Sequence, residues 1–84
     1  MIRDTDIHEK LMSFLCSNFL VEKDEIDINK SLVDTGIIDS IGLVEIAAFI
    51  KREYGIEVGE EQMTRDNFGS VVKIVTFIIR ETPN

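Results

Sequence analysis

The sequence predicts an all-α fold, a four-helix bundle with three long helices, one short helix and a long first loop. Residues 4–19, 40–54 and 70–81 carry apolar residues at the three- and four-residue spacing that places them on one face of a helix. No further segments are available as companion strands for a sheet. A chain of 84 residues is short for even one domain, so we expect a single domain over residues 1–84 with its core at about 5–81.

The first predicted helix covers residues 4–19. Asp4, Thr5 and Asp6 are suited to its N terminus, where such side chains cap the backbone and carboxylates interact favourably with the helix dipole. Its apolar face would consist of Ile7, Leu11, Phe14, Leu15 and Phe19.

Residues 20–39 interrupt the helical pattern and contain a turn signal at Asp34-Thr35-Gly36. Long loops are uncommon in compact domains and are often functional. We expect this one to be held against the core by Ile26, Ile28, Leu32 and Ile37.

The second predicted helix covers residues 40–54, with Asp39 or Ser40 as its N-cap and Gly55 at its C terminus. One row of side chains would face the core: Leu43, Ile46, Ala47, Ile50 and Tyr54. A second row mixes apolar and charged residues: Ile41, Val44, Glu45, Ala48 and Arg52. A surface helix normally has a single apolar stripe, so the additional apolar residues of the second row require a separate explanation.

The last predicted helix covers residues 70–81, although its many β-branched residues would also suit a buried strand. Lys73, Thr76 and Arg80 share one face of a helix but would be scattered over both faces of a strand. We therefore predict a helix that is capped by Ser70 and ends before Pro83, preceded by a short helical turn over residues 64–68.

Composition and charge exclude several classes of function. The net charge of −7, with 9 basic and 16 acidic residues, disfavours nucleic acid and anionic membranes and favours a basic protein partner. Cys16 is the only cysteine, which excludes an internal disulfide or a multi-cysteine zinc site. A calcium loop beginning at Asp27 is excluded because Leu32 and Ile38 occupy its glycine and glutamate positions.

We therefore expect no metal site. The sequence shows no signal peptide and no apolar run long enough to insert into a membrane. We expect a cytoplasmic monomer.

The most distinctive local feature is the segment from Gly36 to Gly42, in which Ser40 begins a predicted helix. A hydroxyl at that position would be exposed, and the helix N terminus favours an attached anion such as a phosphodiester. The simpler interpretation is that Ser40 only caps the helix. A hydrolase nucleophile is disfavoured because Ile38 occupies the required glycine position and the only histidine is His8, on the first helix.

Several segments, in order along the chain, are similar to motifs of one known family. Residues 31–41 look like an attachment signature, and residues 43–45, Phe49, 53–58 and 68–71 follow it in matching order and spacing. Together they resemble the acyl and peptidyl carrier proteins that depend on phosphopantetheine, over about residues 5–81. The family implies a four-helix bundle with one short helix, which agrees with the independent prediction from periodicity.

The resemblance implies roles for particular residues. Ser40 would receive 4′-phosphopantetheine from coenzyme A through a phosphodiester, and the terminal thiol would carry an acyl or aminoacyl group as a thioester. Asp39 matches the motif aspartate, which in the family helps to position the coenzyme A-bound metal at the modifying enzyme. The partner-recognition surface would be formed by Ile41, Val44, Glu45 and Ala48.

The resemblance also implies a free-standing carrier rather than an enzyme. Its partners would be a phosphopantetheinyl transferase, an acyl-adenylating ligase or acyltransferase, and condensing enzymes. It would serve fatty-acid biosynthesis or a specialised polyketide, aminoacyl or envelope-lipid pathway. The interior between the last helix and the row Leu43, Ile46, Ala47 and Ile50 would house an acyl chain transiently. Lys51 and Arg52 depart from the acidic helix of fatty-acid carriers. The competing hypothesis is a small acidic helical adaptor without a prosthetic group.

Overall fold

Four α-helices and two short 3-10 turns form the chain, which the computed structural model describes over residues 4–82. The elements are α1 (Asp4–Phe19), α2 (Ser40–Tyr54), α3 (Arg65–Phe68), α4 (Val71–Glu81) and the 3-10 turns Lys23–Glu25 and Glu60–Gln62. The all-α prediction with three long helices and one short helix is confirmed, and residues 4–82 contain no strand. Pro83, expected just after the last helix, lies outside the described residues. Within residues 4–82 no helix is both long and apolar enough to cross a bilayer.

The helix ends follow the local sequence signals closely. Gly55 ends α2 in the left-handed conformation, with φ of 69°, and its N–H donates to the carbonyl of Lys51. The Ser70 hydroxyl accepts a hydrogen bond from the Lys73 N–H at 3.3 Å and caps α4. Thr64 occupies the N-cap position of α3, but its side chain makes no capping bond.

The core is aliphatic and is organised around α4, which packs against α1 and α3. The predicted polar stripe of α4 is exposed, whereas Phe68 and Phe77 lie edge to face in the core, with ring centroids 5.1 Å apart. The buried side chains of α4 are Val71, Ile74, Val75, Phe77 and Ile78. The helix interpretation of this β-branched segment is therefore correct.

Helices α1 and α2 run antiparallel and meet through three side-chain pairs at four-residue intervals. The pairs are Lys10 Nζ with Glu53 Oε1 at 3.1 Å, the stacked rings of Phe14 and Phe49 at 4.5 Å, and Asn18 Nδ2 with Glu45 Oε2 at 3.1 Å. Phe49 is buried in this contact, although it belongs to neither of the two rows that the sequence suggested for α2.

Tyr54 belongs to the predicted core-facing row of α2 but is only half-buried as a residue. Its hydroxyl oxygen is nevertheless buried and has no hydrogen-bond partner within residues 4–82. The ring contacts Phe49 edge to face, with centroids 6.2 Å apart. Burial raises the pKa of Tyr54, because the phenolate is harder to solvate there.

The Tyr54 hydroxyl therefore contributes little to stability. We expect Tyr54→Phe to leave the free energy of unfolding unchanged or to raise it by up to about 1 kcal/mol, because an unsatisfied buried hydroxyl carries a desolvation penalty. Urea unfolding followed by circular dichroism measures the change. A loss of more than about 1 kcal/mol would mean that the hydroxyl is hydrogen-bonded in solution.

Candidate attachment site around Ser40

Ser40 is the first residue of α2 and is exposed. The preceding residue, Asp39, has an extended backbone, and its Oδ1 accepts a hydrogen bond from the Gly42 N–H at 2.9 Å. Of the two residues that the sequence offered as caps, Asp39 is therefore the N-cap. The Ser40 hydroxyl makes no hydrogen bond to another residue in the described chain, which leaves it available for chemistry.

Gly42 allows the start of α2 to lie close to the end of α1. A Cβ atom at this position would lie 2.8 Å from Ile38 Cβ and 3.2 Å from Phe19 Cε1. Both distances are tighter than ordinary van der Waals contact, so a larger residue would displace the helix start. The packing of Phe19 and Ile38 thus fixes the position from which Ser40 is presented.

A groove of about 200 Å³ opens beside Ser40, between the start of α2 and α3. Its residues are Ser31, Val33, Ser40, Leu43, Met63, Thr64, Arg65, Phe68 and Gly69. The lining is mainly apolar with hydroxyl groups at several positions, which suits a flexible chain that carries both methyl groups and amides. An exposed serine at a helix N terminus beside such a groove is compatible with a phosphopantetheine arm.

The interior between α2 and α4 is closed. Ile46 and Ile50 of α2 and Ile74 and Ile78 of α4 have no exposed surface. Isoleucine side chains fill this region in the structure, and transient entry of an acyl chain would require them to move apart. The open volume next to Ser40 lies at the end of the bundle instead.

An ion pair between Asp34 and Arg65 ties the loop before Ser40 to α3. The Arg65 guanidinium donates to both carboxylate oxygens of Asp34, at 2.9 and 3.1 Å. These hydrogen bonds, with the attraction between the charges, lower the pKa of Asp34 and raise the pKa of Arg65. The pair is solvent-exposed, so it orients the loop more than it stabilises the fold.

The residues expected to recognise partners lie on the outer side of α2. Ile41 and Val44 are 70% and 59% exposed, and Ala48 is also exposed. Glu45 is exposed too, but its carboxylate accepts the hydrogen bond from Asn18, which holds it beside α1. The apolar part of this row has no intramolecular cover within residues 4–82.

Lys51 and Arg52 are each paired within the chain. The Lys51 ammonium contacts Glu57 and lowers the pKa of that carboxyl group through a hydrogen bond. Arg52 lies near Glu53 and over the Phe49 ring, with its guanidinium carbon 5.8 Å from the ring centroid. Neighbouring carboxylates thus partly neutralise the two cationic side chains near the C terminus of α2.

Other groups that could carry chemistry are not organised into a site. His8 and Cys16 are half-buried at different positions of α1. Among residues 4–82, no three histidine, cysteine, aspartate or glutamate side chains are grouped so that they could hold a metal ion.

Comparison with known proteins identifies the family. The family model described as "Phosphopantetheine attachment site" matches residues 9–78, which include Asp39, Ser40 and all of α2. The match covers most of the chain and spans the Ser40 groove.

Named relatives agree with this match. The chain is 27% identical to a "Probable acyl carrier protein PigG" of Serratia sp. (strain ATCC 39006), over 88% of this chain and 86% of the relative. It is 29% identical to a "D-alanyl carrier protein" of Streptococcus pyogenes serotype M5 (strain Manfredo), over 82% and 86%.

A solved structure is also similar. A chain in "Crystal structure of FAD-dependent dehydrogenase" superposes with a TM-score of 0.69 and 28% identity, over 81% of this chain and 97% of that one. The match therefore includes nearly all of that chain, which is somewhat shorter than this one. The family match, the similar carriers and the shared helical fold together identify the family. The chain belongs to the phosphopantetheine-attachment family of carrier proteins and bears a covalently attached 4′-phosphopantetheine.

Proposed function

We propose that this chain is an acyl carrier protein whose prosthetic group is attached to the Ser40 hydroxyl. The observation that carries the proposal is the exposed hydroxyl at the first residue of α2, without an intramolecular partner in the described chain. It lies within the segment that the family model matches. The protein would act by delivering cargo to enzymes in the cytoplasm rather than by catalysing a reaction.

The residues around Ser40 would hold the prosthetic group by electrostatics and shape. The N terminus of α2 favours the negative charge of a phosphodiester, and Leu43 and Met63 offer apolar surface in the groove. Asp39 uses Oδ1 for the cap, which leaves Oδ2 for the metal-positioning role that the resemblance implies. When bound, the arm supplies a terminal thiol that holds the cargo as a thioester.

The outer row of α2 would be the docking surface for partner enzymes. Ile41, Val44 and Ala48 provide an apolar strip, and Glu45 provides a carboxylate that Asn18 holds in place. A partner with an apolar contact area and basic residues around it would complement this surface. Such partners are a phosphopantetheinyl transferase, an acyl-adenylating ligase or acyltransferase, and condensing enzymes.

The cargo we propose is a small acyl or aminoacyl group in a specialised pathway. The groove measures about 200 Å³, and the interior between α2 and α4 is filled by buried isoleucines, so a long acyl chain lacks an enclosed site. One similar protein is named as a D-alanyl carrier. The similar chain comes from the structure of an FAD-dependent dehydrogenase. A further candidate partner is therefore a flavin enzyme that oxidises the tethered group.

The adaptor hypothesis also predicts the exposed apolar row, but it requires Ser40 to be only a cap. Two observations argue against it. Asp39, not Ser40, makes the capping bond, and the family match implies a prosthetic group.

The attachment assignment predicts how two neighbouring alanine variants differ. Ser40→Ala should gain no mass when incubated with a phosphopantetheinyl transferase and coenzyme A, whereas the wild type should gain one phosphopantetheine. Ser40→Ala should also keep the stability of the wild type, because the hydroxyl makes no capping bond. Asp39→Ala should lose about 0.5–2 kcal/mol, because it removes the cap of α2.

Intact mass spectrometry and urea unfolding give the two readouts for both variants. Ser31→Ala, which removes another hydroxyl at the same groove, is the matched control and should be modified normally. A mass gain in Ser40→Ala, or an unmodified wild type, would contradict the assignment.

If the outer row of α2 is a docking surface, a substitution there should impair modification without lowering stability. Val44→Asp should leave the melting temperature nearly unchanged, because the side chain is exposed, and should impair arm transfer by placing a charge in the apolar contact. Val72→Asp is the matched control, since Val72 is an exposed valine on α4. A large fall in melting temperature for Val44→Asp would place Val44 in the core instead.

A further inference from the structure

Leu20 combines two features that are unusual for a leucine. Its side chain is 89% exposed, and its backbone has a φ of 56° in the left-handed region. Within residues 4–82 it is the only non-glycine residue with a positive φ. A left-handed leucine backbone and an exposed apolar side chain each cost free energy in the isolated protein.

The local fold explains the backbone conformation but not the choice of leucine. Leu20 directly follows α1, and the next residue, Val21, donates its N–H to the carbonyl of Cys16 at 3.3 Å. This bond is typical of a helix end at which glycine is the usual left-handed residue. The same chain uses Gly55 at the corresponding position after α2, so nothing in the helix end itself requires a leucine at position 20.

The position of Leu20 places it at the Ser40 end of the bundle. Phe19, its neighbour, lies against Gly42, and Asn18 bonds to Glu45. Within the described chain, the three most exposed large apolar side chains are Leu20, Ile41 and Val44. Leu20 directly follows α1, and Ile41 and Val44 lie in the first turns of α2, so all three are at the same end of the molecule as Ser40.

The charged side chains next to these three residues in sequence are mostly acidic. The exposed carboxylates are Glu22, Asp24, Glu25, Asp39 and Glu45, and Lys23 is the one exposed cation among residues 20–25 and 39–45. An occupant must therefore combine an apolar pocket with a basic surround. Ser40, the first residue of α2, lies at the same end of the bundle.

We infer that Leu20 is a docking anchor for the enzyme that transfers phosphopantetheine to Ser40. This inference rests on the proposed attachment at Ser40. The transferase is the occupant because an enzyme that acts on the Ser40 hydroxyl itself must cover the surface around it. Enzymes that act later meet a thiol at the end of a long flexible arm, and they can approach from further away. Leu20 thus keeps an unfavourable conformation in the isolated protein and contributes buried apolar surface in the complex.

The test compares the kinetics of modification with stability in Leu20→Asn. Asparagine tolerates the left-handed conformation and removes the apolar side chain. With a phosphopantetheinyl transferase and coenzyme A, the KM for the carrier should rise about tenfold, because part of a leucine's buried surface is lost, while kcat stays similar. The melting temperature should stay equal or rise. Leu20→Met keeps the apolar volume, so its KM for the transferase should equal that of the wild type.

Ile79→Asn is the matched control at the far end of the bundle. Ile79 is an exposed isoleucine on α4 that shares a surface cleft with Asp4. Asp4 begins α1, which is about 24 Å long, and Leu20 follows the other end of that helix. The KM of the transferase for Ile79→Asn should equal that for the wild type.

Three outcomes would overturn the inference. An unchanged KM in Leu20→Asn shows that the transferase does not use the side chain. A lower melting temperature shows that Leu20 is structural, and an equal defect in Ile79→Asn shows that the effect is not local. An unmodified wild type would instead refute the attachment at Ser40 itself, and the two failures are therefore distinguishable.

Discussion

Two backbone hydrogen bonds hold the long loop between α1 and α2 against the rest of the bundle, and the presentation of Ser40 depends on them. The N–H of Leu32 donates to the carbonyl of Gly69 at 2.9 Å, and the N–H of Val72 donates to the carbonyl of Ile28 at 3.1 Å. Leu32 is buried, so its polar backbone groups require partners inside the protein. The junction between α3 and α4 supplies one of them. The short α3 therefore matters less for its own stability than as part of the support for the loop that leads to Ser40.

The contact between α1 and α2 determines which face of α2 remains open. The aromatic pair Phe14 and Phe49 joins the two helices on one side, and the row with Ile46 faces the core. The outer row with Ile41 and Val44 is left uncovered. Full burial of such side chains contributes about 1.5–3 kcal/mol each, and that free energy remains available to a complex. The same packing that closes the bundle interior thus leaves apolar surface beside Ser40.

Periodicity and end signals were sufficient to predict the helices, because these features are local. The bounds of the three long helices and the role of Gly55 agree with the sequence prediction. The choice of Asp39 as the cap was open, because it depends on the backbone conformation that the folded loop imposes. The position of Phe49 and the buried hydroxyl of Tyr54 depend on neighbours across the helix interface, which periodicity along one helix does not contain. Ser40 itself was singled out by its place at a predicted helix start and by the resemblance to carrier proteins.

The division of roles between Asp39 and Ser40 has a physical reason. A hydroxyl that caps a helix accepts a hydrogen bond from a backbone N–H, and a bulky phosphodiester on that oxygen would disturb the cap. With Asp39 Oδ1 bonded to the Gly42 N–H, the first turn of α2 is held by a group that modification does not change. Gly42 keeps that turn packed against Phe19 and Ile38. The start of α2, with Ile41 exposed beside it, would therefore present the same surface before and after the proposed modification of Ser40.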